Sequence, residues 1–115
     1  MGMLGNLHTL HMNWCTDITD VSALRGIHTL YMRGCCGITD VSALSGINTL
    51  FMSGCIGVRD VNALAGIHTL DMNGCANVAD VSALVGICEL HIGRTQWNVR
   101  GLEALRQSGS QIVVW

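Results

Sequence analysis

Residues 21–40 read VSALRGIHTLYMRGCCGITD, and residues 41–60 repeat the pattern as VSALSGINTLFMSGCIGVRD. The unit recurs from Val61 through Asp80 and begins again at Val81. One aspartate closes each 20-residue unit, at Asp20, Asp40, Asp60 and Asp80. An internal period of this length predicts a solenoid, in which each repeat packs only against its neighbours.

The apolar positions of the unit indicate one short strand and one short turn, because 20 residues cannot hold two amphipathic helices. Leu30 and Met32 alternate with polar or variable positions, as in a strand that is buried on one face. Val21, Leu24 and Ile27 are spaced by three, which is typical of a tight helical or 3₁₀ turn.

Joined together, these positions give L-x-x-I-x-x-L-x-M-x-x-C, and the chain resembles the leucine-rich repeat family, in the variety with Cys where others have Asn. The second unit fills the pattern with Leu24, Ile27, Leu30, Met32, Cys35 and Ile38. The resemblance covers residues 4–95 and implies an α/β solenoid. Its parallel β-sheet would be curved and concave, with short turns or 3₁₀ segments on the convex side.

The regular I-T-D-V-S-A-L segments are also similar to short-repeat proteins of giant DNA viruses and protists. That likeness implies a viral protein, which would work in the cytoplasm of the host cell.

The repeats are assigned to residues 1–95, and residues 96–115 are expected to form a C-terminal cap of the same domain. The pattern breaks at Thr95, which replaces Cys. The segment Val99–Gln107 is then predicted to be a short amphipathic helix, and Gln111–Trp115 a final apolar strand. The sheet would therefore have five strands and a sixth in the cap, because repeat arrays need capped ends.

Trp97 or Trp115 is expected to cover the last coil, whereas the first coil has no equivalent, since Leu4 is already in mid-repeat. An uncovered parallel edge is an aggregation hazard. We therefore expect a homodimer in which a second copy covers this edge. The residues assigned to this self-association are Leu7, Thr9, Leu10, His11 and Met12.

Composition excludes several classes of partner. The net charge is −2, and the six basic residues are scattered arginines, so no basic patch predicts nucleic acid. The longest apolar runs are far shorter than the ~18 residues that a membrane-spanning helix needs. The first residues show no signal-peptide pattern, so we expect an intracellular, cytoplasmic protein.

The six cysteines raise the question of a disulfide framework or a metal site. Four of them form one column, Cys15, Cys35, Cys55 and Cys75. A straight row with roughly 4.8 Å between strands cannot place four sulfurs around one zinc ion. Distance alone permits a disulfide between neighbouring coils, but a reducing cytosol favours free thiols. The family resemblance implies buried thiols that donate to backbone carbonyls, and Cys36 is expected to be a partly exposed turn residue.

Two further columns invite a metal-site interpretation. The aspartates at the start of each V-S-A-L turn could bind calcium, but a carboxylate there is better explained as an N-cap of the turn. The column of His8, His28 and His68 is interrupted by Asn48, which favours hydrogen bonding at a loop edge over a metal ladder. We expect no metal and no cofactor.

The columns that vary are expected on the concave face. Side chains on either side of Leu30 point to the face of the sheet opposite to that of Leu30, because successive residues of a strand alternate. One runs His11, Tyr31, Phe51, Asp71, His91, and the next begins Asn13, Arg33, Ser53, Asn73. Tyr, Phe and Arg are suited to protein interfaces. The predicted partner-binding residues are His11, Tyr31, Arg33, Phe51, Asp71, Asn73 and His91.

The sequence thus predicts a non-enzymatic module that binds a protein partner, since Asp71 and His91 resemble an acid/base pair but no nucleophile shares their face. One alternative is a structural protein that self-assembles through its first coil. Another is the substrate-recognition arm of a ligase adaptor, which would need an F-box-like segment upstream.

Overall fold

A computed structural model describes residues 8–93 and 99–114 of the chain. The described residues form one six-stranded sheet in which sequential strands are neighbours and every pair is parallel. The strands are β1 (Thr9–His11), β2 (Thr29–Tyr31), β3 (Thr49–Phe51), β4 (Thr69–Asp71), β5 (Glu89–Ile92) and β6 (Gln111–Val114). The predicted solenoid of short parallel strands, including a sixth strand near the C-terminus, is confirmed.

We call each coil of the solenoid a rung. The rungs of β2, β3, β4 and β5 each contain one 3₁₀ turn opposite the strand. These turns are Ser22–Leu24, Ser42–Leu44, Asn62–Leu64 and Ser82–Leu84. The three-residue spacing of the apolar positions suits a 3₁₀ turn because side chains three apart lie on the same side of it. The strands are also short, because only two side chains of each unit, such as Leu30 and Met32, need to reach the interior.

The aspartate before each turn accepts a backbone hydrogen bond at the start of that turn, as expected. The Oδ1 atom of Asp40 accepts the N–H of Ser42 at 2.8 Å, and Asp20, Asp60 and Asp80 repeat the contact at the same distance. The predicted position differs by one residue, because the N-cap residue itself is a valine, such as Val41. The carboxylate therefore reaches over the valine to the first residue of the turn.

The core is a stack of identical columns rather than one compact centre. Leu30, Leu50, Leu70 and Leu90 are fully buried on top of one another, and so are Met32, Met52 and Met72. The registers confirm the stacking, since Leu30 pairs with Leu50 and Leu50 with Leu70. Because the first four rungs supply the same side chains at the same height, one packing solution serves most of the array.

The cysteine column links the rungs through thiol hydrogen bonds. The Sγ atom of Cys55 donates to the carbonyl oxygen of Met32 in the preceding rung at 2.9 Å, and Cys35 and Cys75 make the equivalent bonds to Met12 and Met52 at 3.0 Å. All three thiols are free and buried, whereas Cys36 is free and exposed. The expectation of buried, hydrogen-bonded thiols is confirmed for these three cysteines but not for Cys15, which is only half-buried, and Cys36 is exposed as expected.

The rung that contains β6 departs from the others. Its helix α1 spans Leu102–Gln107, three residues later than the predicted start at Val99. The delay arises because Arg100 still pairs with Asp80 as an isolated parallel bridge and Gly101 adopts a positive φ of 89°. Leu102 and Leu105 are buried against the preceding rung, so α1 takes the place of a 3₁₀ turn.

Several sequence-based expectations fall outside the described residues. These are the roles assigned to Leu4, Leu7, Thr95, Trp97 and Trp115. Within the described residues, no helix is long and apolar enough to cross a membrane.

Candidate binding face

The side chains that flank the buried Leu and Met columns lie on the other side of the sheet. We call this surface the open face; in the second rung it carries Thr29, Tyr31 and Arg33. Tyr31 and Phe51 are half-buried there, and His11 and Arg33 are exposed. The period-2 alternation of a strand therefore places the Leu and Met columns inward and the variable columns on the open face, as predicted.

Three rings of the variable column stack in a continuous ladder. The ring centroids of His11 and Tyr31 are 4.2 Å apart with an interplanar angle of 5°, and those of Tyr31 and Phe51 are 4.6 Å apart at 14°. The parallel registers His11 to Tyr31 and Tyr31 to Phe51 impose this spacing, because neighbouring strands lie about 4.8 Å apart. Each ring thus covers a face of the next, and the ring edges are what the ladder presents outward.

Arg33 lies beside this ladder. Its Cζ atom is 5.8 Å from the ring centroid of Phe51, within the range of a cation–π contact. The backbone N–H of Arg33 is held by the Oδ1 atom of Asn13 at 2.8 Å. The guanidinium is exposed, so its hydrogen-bond donors stay accessible to a ligand at this part of the open face.

Trp14 is a candidate residue that sequence reasoning missed. It occupies the position of Gly34, Gly54 and Gly74 in later rungs and shares their positive φ, at 65°, which is unusual for a bulky side chain. The indole lies over Gly34, where any Cβ would overlap it, and 74% of Trp14 is exposed. The available signal was a tryptophan in a column of glycines.

The later rungs of the open face are acidic rather than aromatic. Asp71 is only 7% exposed, and its Oδ1 atom accepts the N–H of Asn73 at 3.1 Å. The Nε2 atom of His91 lies 3.0 Å from Oε1 of Glu89. Asp71 thus lies in the open-face column, as expected, but it is buried rather than exposed, and its carboxylate bonds to the backbone of its own rung. Asn73 and His91 are half-buried and remain on the face.

The histidine column hydrogen-bonds at the edge of the sheet, as expected. His28 and His68 each place Nδ1 2.7 Å from the hydroxyl of the following threonine, and Asn48 accepts the hydroxyl of Thr49 at 2.8 Å. The rings of His8 and His28 stack with centroids 4.1 Å apart. Among the described residues, no group of three or more His, Cys, Asp or Glu side chains is arranged to hold a metal ion.

The buried thiols have the electrostatics of structural groups. Burial raises the pKa of Cys55 to about 11 and that of Cys75 to about 12. It also raises the pKa of Cys35. Because the thiolate is the nucleophilic form, these cysteines are poor nucleophiles at neutral pH.

Two shallow depressions lie between successive 3₁₀ turns, away from the open face. Thr39, Asp40 and Asp60 are among the residues that line one of about 240 Å³, and Asp20 and Arg25 help to line one of about 350 Å³. Their carboxylates are engaged by the turns, and hydrogen bonds from the backbone and side chain of Ser42 lower the pKa of Asp40. These depressions thus look structural, and the open face is the better candidate.

Comparison with known proteins adds no assignment to this geometry. No model of a known protein family matches the chain, and a search of curated proteins finds no significant match.

Proposed function

We propose that this chain is a leucine-rich-repeat module without catalytic activity that binds a protein partner through the first three rungs of the open face. The observation that carries the proposal is the stacked ladder of His11, Tyr31 and Phe51 with Arg33 beside it. The leucine-rich-repeat assignment is supported by one parallel strand and one 3₁₀ turn in each repeat and by buried Leu, Met and Cys columns.

The ladder is suited to binding because it is already ordered. Side chains lose rotamer freedom when they bind, and each immobilised side chain costs roughly 0.5–1.5 kcal/mol of affinity. Tyr31 is held between His11 and Phe51, so much of this loss has occurred before a partner arrives. Tyr and Arg are also enriched among the residues that dominate interface energetics.

The chemistry of the ladder favours a partner segment rich in acceptor groups. An aromatic ring is negative on its faces and positive at its edges, and the faces between these rings are covered by their neighbours. The outward edges and the Arg33 guanidinium therefore attract carboxylates and backbone carbonyls. Asp71 and Glu89 lie on later rungs, so an acidic segment would be directed toward the first three rungs.

The direct test uses the wild type and two matched variants as baits against the same cell lysate. In the face variant, Tyr31, Arg33 and Phe51 are replaced by Ala; in the control, the exposed residues Ile56 and Arg59 outside the open face are replaced by Ala. We expect the wild type and the control to retain the same partner, identified by mass spectrometry, and the face variant to lose it. Circular dichroism of all three proteins checks that they are folded.

The identified partner is then titrated with each purified bait. A face variant that binds as tightly as the wild type would overturn the proposal, and so would loss of binding in the control alone. Arg33 is exposed, so its guanidinium can contact an acidic partner directly. The single substitution Arg33→Gln should therefore raise the Kd for such a partner about tenfold, which corresponds to the loss of one interfacial charge contact of ~1.4 kcal/mol.

A further inference from the structure

The first strand of the sheet has one edge that no other described strand pairs with. In the ladder between β1 and β2, the N–H of Met12 donates to the carbonyl of Tyr31 at 2.7 Å. A strand alternates the direction of its backbone groups, so those of Thr9 and His11 point away from β2. β1 therefore offers a row of donors and acceptors at the end of the sheet.

The last strand offers the complementary edge. The N–H of Gln111 donates to the carbonyl of Cys88 at 2.9 Å, which places the backbone groups of Gln111 and Val113 toward β5. Those of Ile112 and Val114 consequently point away from β5. In the same way, residues such as Met12 and Met32 direct their backbone groups to the next strand of the array. The outward backbone groups of Ile112 and Val114 can therefore pair with those of Thr9 and His11 in a further copy of β1.

Neither edge strand contains the residues that usually prevent edge pairing. Short length is another common protection, but β2, β3 and β4 have three residues like β1 and pair on both edges. Natural sheets protect their edges with lysine, proline, inward-pointing charges or bulges. The strand β1 reads Thr-Leu-His and β6 reads Gln-Ile-Val-Val, and the whole chain has no proline and no lysine. As far as residues 8–93 and 99–114 are concerned, both edges are therefore available to a further parallel strand.

The two ends of the array also expose apolar columns that are buried inside it. Ile18 is 37% exposed, although Ile38 in the same column is fully buried. Val114 is 47% exposed, although Ile92, its partner in β5, is fully buried. Leu10 is half-buried, whereas the other leucines of its column are fully buried. Within the part of the chain that the structure describes, each end thus lacks the neighbouring rung that an interior rung has.

The columns of β6 match those of β1 in register. Gln111, Ile112 and Val113 pair with Glu89, Leu90 and His91, so they continue the Thr, Leu and variable columns. The strand β1 begins the same columns with Thr9, Leu10 and His11. A second copy of β1 placed beside β6 with the internal register would put Leu10 on Ile112 and Met12 on Val114.

We propose that copies of this chain associate head to tail, with β1 of one copy extending the parallel sheet of another beyond its β6. The contact is heterologous, because two different ends of the molecule meet, and so it leaves a free end on each copy. It is distinct from a two-fold dimer in which two β1 edges meet, and it does not depend on the proposed function of the open face.

The head-to-tail contact would complete the cysteine column. Inside the array each thiol donates to the carbonyl of the Met position in the preceding rung, as Cys35 does to Met12. Cys15 begins this column and is half-buried; among the described residues, its Sγ atom makes a long contact of 3.9 Å to the carbonyl of Asn13. In the assembly, Val114 of the preceding copy holds the Met position, so Cys15 gains a partner and becomes buried.

The size of the contact makes the association concentration-dependent rather than permanent. The chain extends 41 × 23 × 19 Å; with the longest extent taken along the stack of rungs, its end is about 23 by 19 Å across. An interface of that extent falls below the standard size of stable complexes and at the level of transient ones. Oligomers should therefore grow with protein concentration and dissociate on dilution.

The test blocks one end at a time. Thr9→Pro removes an outward N–H from the edge of β1, where proline is tolerated. Val114→Asp places a charge on an exposed position of β6 that would be buried in the contact. The matched controls are Thr9→Val and Val114→Thr, which keep the N–H or the shape. Molar mass is measured by light scattering over a range of concentrations with reductant, after circular dichroism has shown that each variant is folded.

We expect the mean mass of the wild type and of both controls to rise beyond that of a dimer. Each blocked variant alone should stay monomeric. An equimolar mixture of the two should form dimers and no larger species, because the free β1 edge of Val114→Asp pairs with the free β6 edge of Thr9→Pro. A wild type that is monomeric at every concentration, or a mixture that stays monomeric, would overturn the proposal. Dimers formed by Val114→Asp alone would overturn it in favour of a two-fold contact between β1 edges.

A second measurement follows the completion of the cysteine column. Alkylation of Cys15, mapped by mass spectrometry, should slow as the wild-type concentration rises, while the exposed Cys36 and Cys88 react at unchanged rates. In Thr9→Pro the rate at Cys15 should not depend on concentration. Equal rates at Cys15 at all wild-type concentrations that give oligomers would contradict the head-to-tail geometry.

Discussion

The inward columns and the open face of this array are built from the same strands but follow different rules. On the inward side, Leu30, Leu50 and Leu70 recur at each rung and are fully buried. On the open face, the residues between Leu and Met run Tyr31, Phe51, Asp71 without repetition. Residues that are adjacent in the chain therefore experience opposite constraints, and the alternation of the strand keeps the two sets apart.

The difference shows where stability and recognition reside. An inward residue must match the residues above and below it, because protein interiors are packed as densely as organic crystals. An open-face residue contacts its neighbours on one column and is otherwise free to change, as the succession from Phe51 to Asp71 demonstrates. The inward columns should thus determine the stability of the array, while the open face can vary with its ligand.

The largest predicted effect separates the two sets within one strand. Leu50→Ala should lower the free energy of unfolding by about 2–5 kcal/mol, because it opens a cavity in a fully buried column. Phe51→Ala should cost about 1–2 kcal/mol, since Phe51 is half-buried and loses one stacked ring pair. Urea denaturation of both variants measures these values. Equal losses would contradict the division between the two sets.

The next largest predicted effect is a loss of stability at high pH, caused by ionisation of the buried thiols. The pKa of Cys75 is raised to about 12 by burial, above the ~8.5 of a free cysteine. A thiol whose pKa is raised by folding stabilises the protein fully below the unfolded pKa, and this contribution is lost as the pH rises toward the folded value. The melting temperature should therefore fall between about pH 8.5 and 12.

Cys75→Ala supplies the control for the thiol prediction. This variant should be less stable than the wild type at pH 7, because the thiol–carbonyl hydrogen bond to Met52 is lost. Its melting temperature should nevertheless decline less steeply above pH 8.5. An equally steep decline in both proteins would assign the alkaline loss to other groups, such as Cys55, whose pKa burial raises to about 11.

The inward side of this molecule was predictable from sequence because it repeats. The positions of Leu30, Met32 and Cys35 recur in each unit, so one period fixes a strand, a turn and their register. The sixth rung was predicted less well, since its helix begins at Leu102 rather than at Val99. The delay depends on a parallel bridge between Asp80 and Arg100, a contact that no local pattern reveals.

The open face was predictable as a set of positions but not as a surface. The alternation identified Tyr31, Phe51 and Asp71 as outward residues, yet Asp71 is buried because its carboxylate bonds to the backbone of Asn73. The strand pattern also does not reveal the orientation of the Trp14 side chain, whose indole extends to the next rung and lies over Gly34. The direction that an outward side chain takes depends on its neighbours in adjacent rungs, which are 20 residues away in the sequence. The pattern of a single unit does not specify those neighbours.

A smaller effect is expected at the junction between rungs, where Asp40 starts a 3₁₀ turn. Asp40→Ala removes the acceptor for the N–H of Ser42 and should lower the melting temperature by less than Leu50→Ala does. Asp40→Asn keeps an acceptor oxygen and should lose less than Asp40→Ala. Thermal unfolding followed by circular dichroism ranks the three variants. Identical melting temperatures for Asp40→Ala and the wild type would refute the capping role.

The same aspartates predict acid sensitivity. Hydrogen bonds from Ser42 lower the pKa of Asp40 in the folded state, and those from Ser22 and Ser82 lower the pKa of Asp20 and Asp80. A carboxyl whose pKa is lowered by folding stabilises the protein above its unfolded pKa of ~3.9, and this contribution is lost as the pH falls through the folded value. Unfolding below about pH 4 should therefore be less steep in Asp40→Asn.

The smallest predicted effect tests whether the aromatic ladder is more than three adjacent side chains. Tyr31 and Phe51 stack with centroids 4.6 Å apart, so a double-mutant cycle to Ala should give a coupling energy of about 0.5–1.5 kcal/mol. Tyr31 and His91 are three rungs apart on the same column and should couple by less than about 0.5 kcal/mol, which makes them the control pair. Coupling between Tyr31 and Phe51 no larger than the control would mean that the ring contacts add nothing to the order of the open face. The rings would then have to be immobilised by the partner on binding, and the affinity expected from a preordered ladder would be correspondingly lower.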